Sequence, residues 1–286
     1  MDNNKNGAVW LASYPKSGNT WLRCLLEAYR RNGQIDLNDM RISHSDGGAT
    51  LMRGVSPMPL DALGLNGQML LRPAALLNLF CRLSEPIWVK THFANIQPDG
   101  LPPLIPAEFT KKAVYVVRDP RSVVLSMSRF FQFSIDASVE TMRSNDFTIG
   151  DGKDFASCLV SSWTNHVAGW TSETRYPVHI VKYEDLMIDA GKELTEVLAF
   201  LEQDIDEKIV KKAVKATNMA KLQQKEESGG FRENSGKGGG FFNGGGTRWQ
   251  DELGPKWIKQ IEEDHGTVMR ALGYLDAEVT ELKAVE

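Results

Sequence analysis

Cysteine is scarce in this 286-residue chain. Its three copies, Cys24, Cys81 and Cys158, lie far apart and without a CxxC spacing, which excludes a disulfide scaffold and a zinc ribbon. No apolar run approaches the roughly 20 residues needed to cross a bilayer. An excess of positive charge is missing too. With 33 Lys+Arg against 37 Asp+Glu the net charge is −4, which argues against gripping nucleic acid by bulk charge. The opening Met1–Asn6 is polar and has no apolar signal-peptide core, so the expectation is a soluble, cytoplasmic protein. No internal repeat is visible, and no linker splits the chain. What remains is an ordinary globular composition, 42% hydrophobic with 25 Gly and 12 Pro. That is enough chain for one large α/β domain with a real core.

The first ordered element predicted is a buried strand, Ala8-Val9-Trp10-Leu11-Ala12, running into turn chemistry at residues 13–20 and then an amphipathic helix from Trp21. Strand, Gly-containing loop and helix make the first half of a βαβ unit. Two further apolar runs, 87–92 and 112–119, end in polar or charged residues, the pattern of buried parallel strands whose C-terminal ends meet solvent. Pro120 stands where a helix starts, and residues 121–131 continue with helical spacing. A helix over 155–174, a strand over 178–183, helices near 190–202, 205–216 and 218–226, and a last helix near 255–272 complete the reading. Between them, residues 36–87 form an excursion at the sheet edge in which only 68–83 reads as helix. Residues 229–246 hold nine glycines and read as a mobile lid.

Three constellations carry chemistry. Lys16-Ser17-Gly18-Asn19-Thr20 joins a strand to a helix N-terminus, where free N–H groups and the helix dipole favour an anion. Gly18 lets the backbone approach a ligand, and Lys16 adds charge. It is not a Walker A sequence, and the residues alone leave an ordinary strand–helix turn equally open. His92, in Lys90-Thr91-His92 at a strand end, can take a proton from an attacking hydroxyl; a structural histidine is the other reading. Arg118, in Arg118-Asp119-Pro120-Arg121 with Ser126 further along the helix, offers a planar fork for phosphate or else a structural Arg–Asp pair.

Together these segments resemble the sulfotransferases that use 3′-phosphoadenosine 5′-phosphosulfate (PAPS). Residues 14–21 are similar to the family's Y-P-K-S-G-T-x-W loop, and Lys90–His92 to its K-T-H segment. Arg118–Arg121 with Ser126 is similar to its R-x-P-[KR] segment followed by serine, and Tyr183-Glu184-Asp185-Leu186 to its Y-E-D-[LM] strand end. The resemblance spans residues 8–275. It implies a single P-loop-kinase-like α/β domain over residues 1–286, with a central parallel sheet flanked by helices. PAPS would be the co-substrate, 3′-phosphoadenosine 5′-phosphate the product, and no metal would take part. Carried over residue by residue, Lys16, Ser17, Gly18, Asn19, Thr20 and Trp21 hold the 5′-phosphosulfate, while Arg118 and Ser126 hold the 3′-phosphate. Tyr183 and Thr217 lie near the adenine. His92 is the base, Lys16 stabilises the leaving oxygen, and Lys90 is a supporting cation.

The family's late R-K-G-x-x-G-x-W segment departs here. Anchored on Trp249, its positions hold Phe242, Asn243, Gly244 and Thr247, so Gly244 and Trp249 alone match. The resemblance leaves Gly244 and a cation, Arg248, Lys237 or Arg232, as candidates for that part of the nucleotide site. Phe130, Phe131 and Phe133, with the apolar parts of residues 51–83, lean toward a small aromatic or lipophilic acceptor bearing a hydroxyl or amine. Neither nucleic acid nor membrane is expected as a partner. A kinase-like phosphotransferase and a non-catalytic nucleotide-binding relative are the competing readings.

Overall fold

The computed structural model describes residues 7–40, 42, 45–150, 152, 155–234, 240–242 and 248–276. β1 (Ala8–Ser13) leads through a short loop into α1 (Asn19–Arg30), and α2 (Ala49–Arg53) and α3 (Leu60–Phe80) precede β2 (Ile87–Thr91). β3 (Thr110–Val117) is followed by α4 (Pro120–Phe131), α5 (Ile135–Arg143), a two-stranded antiparallel pair of β4 (Thr148–Ile149) and β5 (Cys158–Leu159), and α6 (Trp163–Thr171). β6 (Val178–Lys182) opens the last part. It continues into α7 (Tyr183–Ile188), α8 (Ala190–Phe200), α9 (Glu207–Ala216), α10 (Met219–Gly229), α11 (Trp249–Glu252) and α12 (Pro255–Ala271).

The main sheet is parallel throughout, in the order β2-β1-β3-β6. Strands covered on both faces must be apolar at every position, and β1 is buried along its whole length. Its side chains alternate. Ala8, Trp10 and Ala12 join the core under α4, α6 and α12, whereas Val9 and Leu11 join the core under α1, α8 and α9. β3 divides in the same way, Ala113, Tyr115 and Val117 against Val114 and Val116. All four strands therefore end on one edge, where Ser13, Thr91, Val117 and Lys182 hand over to loops.

Several boundaries differ from the sequence reading, for local reasons. The helix expected over 155–174 begins at Trp163, because the Ser162 hydroxyl accepts the Asn165 N–H and caps it there, while residues 158–159 pair as β5. α5 arises from the same chemistry, with Ser134 accepting the Ala137 N–H. The helix expected over 68–83 starts at Leu60 and is interrupted at Gly64, whose φ of 61° no turn of α-helix contains. Apolar residues of α2 and α3 that the sequence suggested as acceptor lining pack in the core. Met69, Leu76 and Phe80 enter the main core, and Met52, Leu60 and Ala75 form a satellite cluster with Ala49 and Ala156. Among the described residues no helix is long and apolar enough to cross a membrane.

Candidate active site

Each strand end places one part of the site. After β1 the chain bends through Lys16 (φ 66°) and Gly18 (φ 105°) before entering α1. Gly18 is required twice over. Its φ suits glycine, and an added Cβ would lie 2.4 Å from Cδ2 of Tyr183. This bend turns the first N–H groups of α1 toward a cleft of about 370 Å³. Lys16, Gly18, Asn19, Thr20, Trp21, Lys90, His92, Arg118, Ser126 and Tyr183 all line it, so ten of the residues chosen from sequence come together.

The cleft is a cluster of cations. The Lys16 ammonium sits between the rings of Phe130 and Phe241, 3.8 and 4.0 Å from their centroids. Burial, reinforced by the charges of Arg118 and Lys90, lowers its pKa to about 7. The Arg118 guanidinium donates to the Lys16 carbonyl at 3.2 Å and lies 4.2 Å from the Tyr183 ring centroid. Ser122, Ser126 and Arg129 share one face of α4 beside it, and Arg129 is ion-paired with Glu252 of α11. Two polar atoms, Arg118 Nε in the cleft and the hydroxyl oxygen of Ser17, a buried loop residue that does not itself line it, have no hydrogen-bond partner. Donors left unsatisfied among cations suit an anionic ligand.

His92 lies at the far side of the cleft. Its Nδ1 donates to the Ser13 carbonyl at 2.7 Å, which leaves Nε2 as the lone-pair nitrogen. The buried His166 donates from Nε2 to the His92 carbonyl at 3.2 Å and accepts from the Tyr115 hydroxyl at 2.9 Å, so the main chain of His92 is held as well. Burial, then the Lys90 charge, pushes the His92 pKa down to about 3, and the ring is neutral at physiological pH. A second cavity of about 460 Å³ meets the cleft at Lys90, His92, Ile149 and Glu233 and extends to Leu37, Met40, Phe155 and Cys158.

A model of the sulfotransferase domain matches residues 6–273. The chain belongs to this family. Sulfotransferase 1 family member D1 of Rattus norvegicus is 31% identical over 211 residues, which are 71% of this chain and 62% of that relative. Sulfotransferase 1C2 of Rattus norvegicus is 25% identical over 219 residues, 75% of this chain and 65% of its own length. This sulfotransferase-domain chain thus spans a little under two thirds of the length of both. The mouse sulfotransferase SULT7A1 complexed with PAP superposes with a TM-score of 0.61 at 18% identity, covering 94% of this chain and 87% of that one. Retinol dehydratase in a complex with retinol and PAP gives 0.61 at 18%, covering 94% and 82%. At these identities the likeness is one of fold.

Within this family member, some expected residues have their side chains held by other parts of the fold. The Asn19 side chain points inward, donating to the Leu11 carbonyl and accepting from Arg23. Thr217 is fully buried and stays out of the cleft; its hydroxyl bonds the Ala213 carbonyl, and its own carbonyl accepts from Trp21 Nε1. Arg121 is structural, held by Asp119 and Glu262 with Trp249 stacked 3.9 Å from its guanidinium. Trp249 of the late segment is thereby explained as packing. Arg248 is exposed at the start of α11, away from the cleft, and Arg232 lines the second cavity. Gly244, Lys237 and half of the Gly-rich stretch, residues 235–239 and 243–246, lie outside the described residues. Phe231, Phe241 and Phe242 pack on one another at 5.1–5.5 Å, and Glu226 accepts the N–H groups of Phe241 and Phe242. Phe130 belongs to the Lys16 wall, and Phe133 is half-exposed against Phe131, so neither lines the second cavity.

Proposed function

We propose that this chain transfers a sulfuryl group from PAPS to a hydroxyl or amine of a small organic acceptor and releases 3′-phosphoadenosine 5′-phosphate. The observation that carries this reading is the meeting of three elements at one sheet edge: the Lys16 loop, the Arg118–Ser126 pair and a neutral His92 with its Nε2 free. The PAP complexes of structurally similar proteins support the donor class. Small-molecule substrates and a cytoplasmic setting belong to the same proposal. The second cavity is the acceptor space, because it shares His92 and Lys90 with the cleft but not Arg118 or Ser126.

The donor supplies an activated sulfuryl group; the residues supply charge, position and a base. The N–H groups at the start of α1, with Lys16 and Thr20, hold the 5′ end. Arg118 and Ser126 hold the 3′-phosphate. Arg129, one turn beyond Ser126 on the same face of α4, supplies the second cation that the late segment lacks. Lys16 stands among like charges, so an arriving anion removes the repulsion and restores its proton. It then stabilises the oxygen that leaves as the bridging S–O bond breaks. Lys90 faces the same charge. His92 Nε2 takes the acceptor proton as the new bond to sulfur forms, and its basicity rises when bound anion offsets Lys90.

The test is transfer from labelled PAPS to a panel of small phenols, alcohols and amines, run beside thermal shifts with the bisphosphate and with ATP–Mg²⁺. Transfer together with a larger shift from the bisphosphate is the expected outcome. A larger shift from ATP–Mg²⁺ with no transfer would establish a phosphotransferase instead.

A further inference from the structure

One carboxylate inside the site has no counterpart in the motifs. Glu233 follows α10, in a stretch held by Asn38, whose side chain donates to the carbonyls of Gly229 and Gly230 and accepts the Arg232 N–H. Its carboxylate receives a two-pronged bond from Arg23 of α1, Nη1 at 2.8 Å and Nη2 at 2.7 Å, and a third bond from Lys90 Nζ at 2.9 Å. Arg23 is completely buried, and its remaining donors are taken by Asn19, Thr20 and the Ile42 carbonyl. A fully buried guanidinium needs a counter-ion, so Arg23 fixes the carboxylate rather than the reverse. Glu233 also lines both the cleft and the second cavity, as do Lys90 and His92.

We propose that Glu233 is a positioning residue: gripped by the Arg23 fork, it holds the Lys90 ammonium charged and in place where the donor cleft meets the acceptor cavity. This inference rests on the reading of Lys90 as a cation of the transfer site. Three facts converge on it. The fork leaves the carboxylate no freedom to follow Lys90, so Lys90 must follow the carboxylate. Lys90 is otherwise placed among repelling charges, with Arg23 from α1 and Lys16 from the loop after β1, while His92, just past the end of its own strand, is neutral; Glu233, then Asp46, are its attractive neighbours. Burial and Arg23 pull the Lys90 pKa down while Glu233 pushes it up, and Lys90 and Arg23 in turn hold the Glu233 carboxyl at about 2.

The test is a double-mutant cycle of Glu233→Gln and Lys90→Met, read as turnover against pH. Glu233→Gln should lower turnover by about tenfold to a hundredfold, the range of coupling between contacting charges, and bind the bisphosphate within about threefold of the parent. Its alkaline limb should move to lower pH, because Lys90 loses its proton sooner without the carboxylate. In the Lys90→Met background the same substitution should change turnover by less than about twofold. Additive losses, an unmoved alkaline limb or a faster Glu233→Gln enzyme would each overturn the proposal. Full turnover by Lys90→Met alone would overturn the reading of Lys90 beneath it, a distinguishable result. Should Glu233→Gln not fold, Arg23→Met with Glu233→Gln removes the buried cation together with its counter-ion, and the cycle with Lys90→Met is run in that background under the same criteria.

Discussion

Replacing Gly18 with alanine tests the nucleotide loop at its tightest point. The glycine has φ 105° and ψ 6°, where an L side chain costs about 1–3 kcal/mol. Its added Cβ would meet Cδ2 and Cε2 of Tyr183 at 2.4 and 3.1 Å, so the ring must retreat by about 1 Å to regain ordinary contact. That ring is packed edge-on against Trp21, 5.8 Å between centroids, and Arg118 lies over it at 4.2 Å. Forcing such a group aside costs about 1–3 kcal/mol more. The total of about 2–6 kcal/mol is a large part of the about 5–15 kcal/mol that holds a typical domain. Gly18→Ala should therefore lower the urea midpoint. It should weaken the bisphosphate at least tenfold in calorimetry, because relief of the clash moves Arg118 and Trp21 together. A variant with an unchanged urea midpoint that binds within about threefold of the parent would show that the loop does not need this geometry.

Arg118→Ala should weaken the 3′,5′-bisphosphate about ten- to a hundredfold while leaving adenosine 5′-monophosphate nearly unaffected; equal losses in calorimetry would make Arg118 a structural residue. His92→Ala should lower turnover by about 10²–10⁴ with donor affinity retained, and turnover within a few-fold of the parent would reassign the base. Stability should fall with acid between about pH 6.5 and 4.5, before carboxylates contribute. Burial depresses His166 to about 3 and His265 to about 4, so the unfolded chain takes up protons there that the folded chain refuses. Each histidine then removes about 1.4 kcal/mol per pH unit, a loss absent above pH 6.5. His265→Gln should flatten the decline of Tm with acid, and an unaltered slope would refute the assignment.

What the sequence made legible was local. Ala8–Ser13 and Thr110–Val117 are short apolar runs that stop at polar motifs, and both the strands and the residues at their ends follow from that pattern alone. His92 and Arg118 were found because each stands at the end of such a run and Lys16 because it lies in the loop that follows one, whereas Tyr183 came from the family resemblance. Glu233 was invisible for the opposite reason. Its partner Arg23 is 210 residues away and sits in a helix whose other residues alternate as if Arg23 faced water. The Phe130–Lys16–Phe241 sandwich likewise joins three segments that share no local signal. Aromatic residues taken as acceptor lining were claimed by a cation and by one another, and helix starts were decided by single capping hydroxyls such as that of Ser162.

Because the sheet order is β2-β1-β3-β6, the parts of the site are numbered 16, 92, 118 and 183 yet stand side by side. No contiguous stretch of chain contains a working fraction of it. Every parallel pairing must close a long loop before the cations and the base meet, and such pairings are slow to form. Activity in this architecture is consequently a late event in refolding. Helical content should recover first, and nucleotide binding should return with the last strand to dock, so recovered binding reports a completed sheet rather than a compact chain.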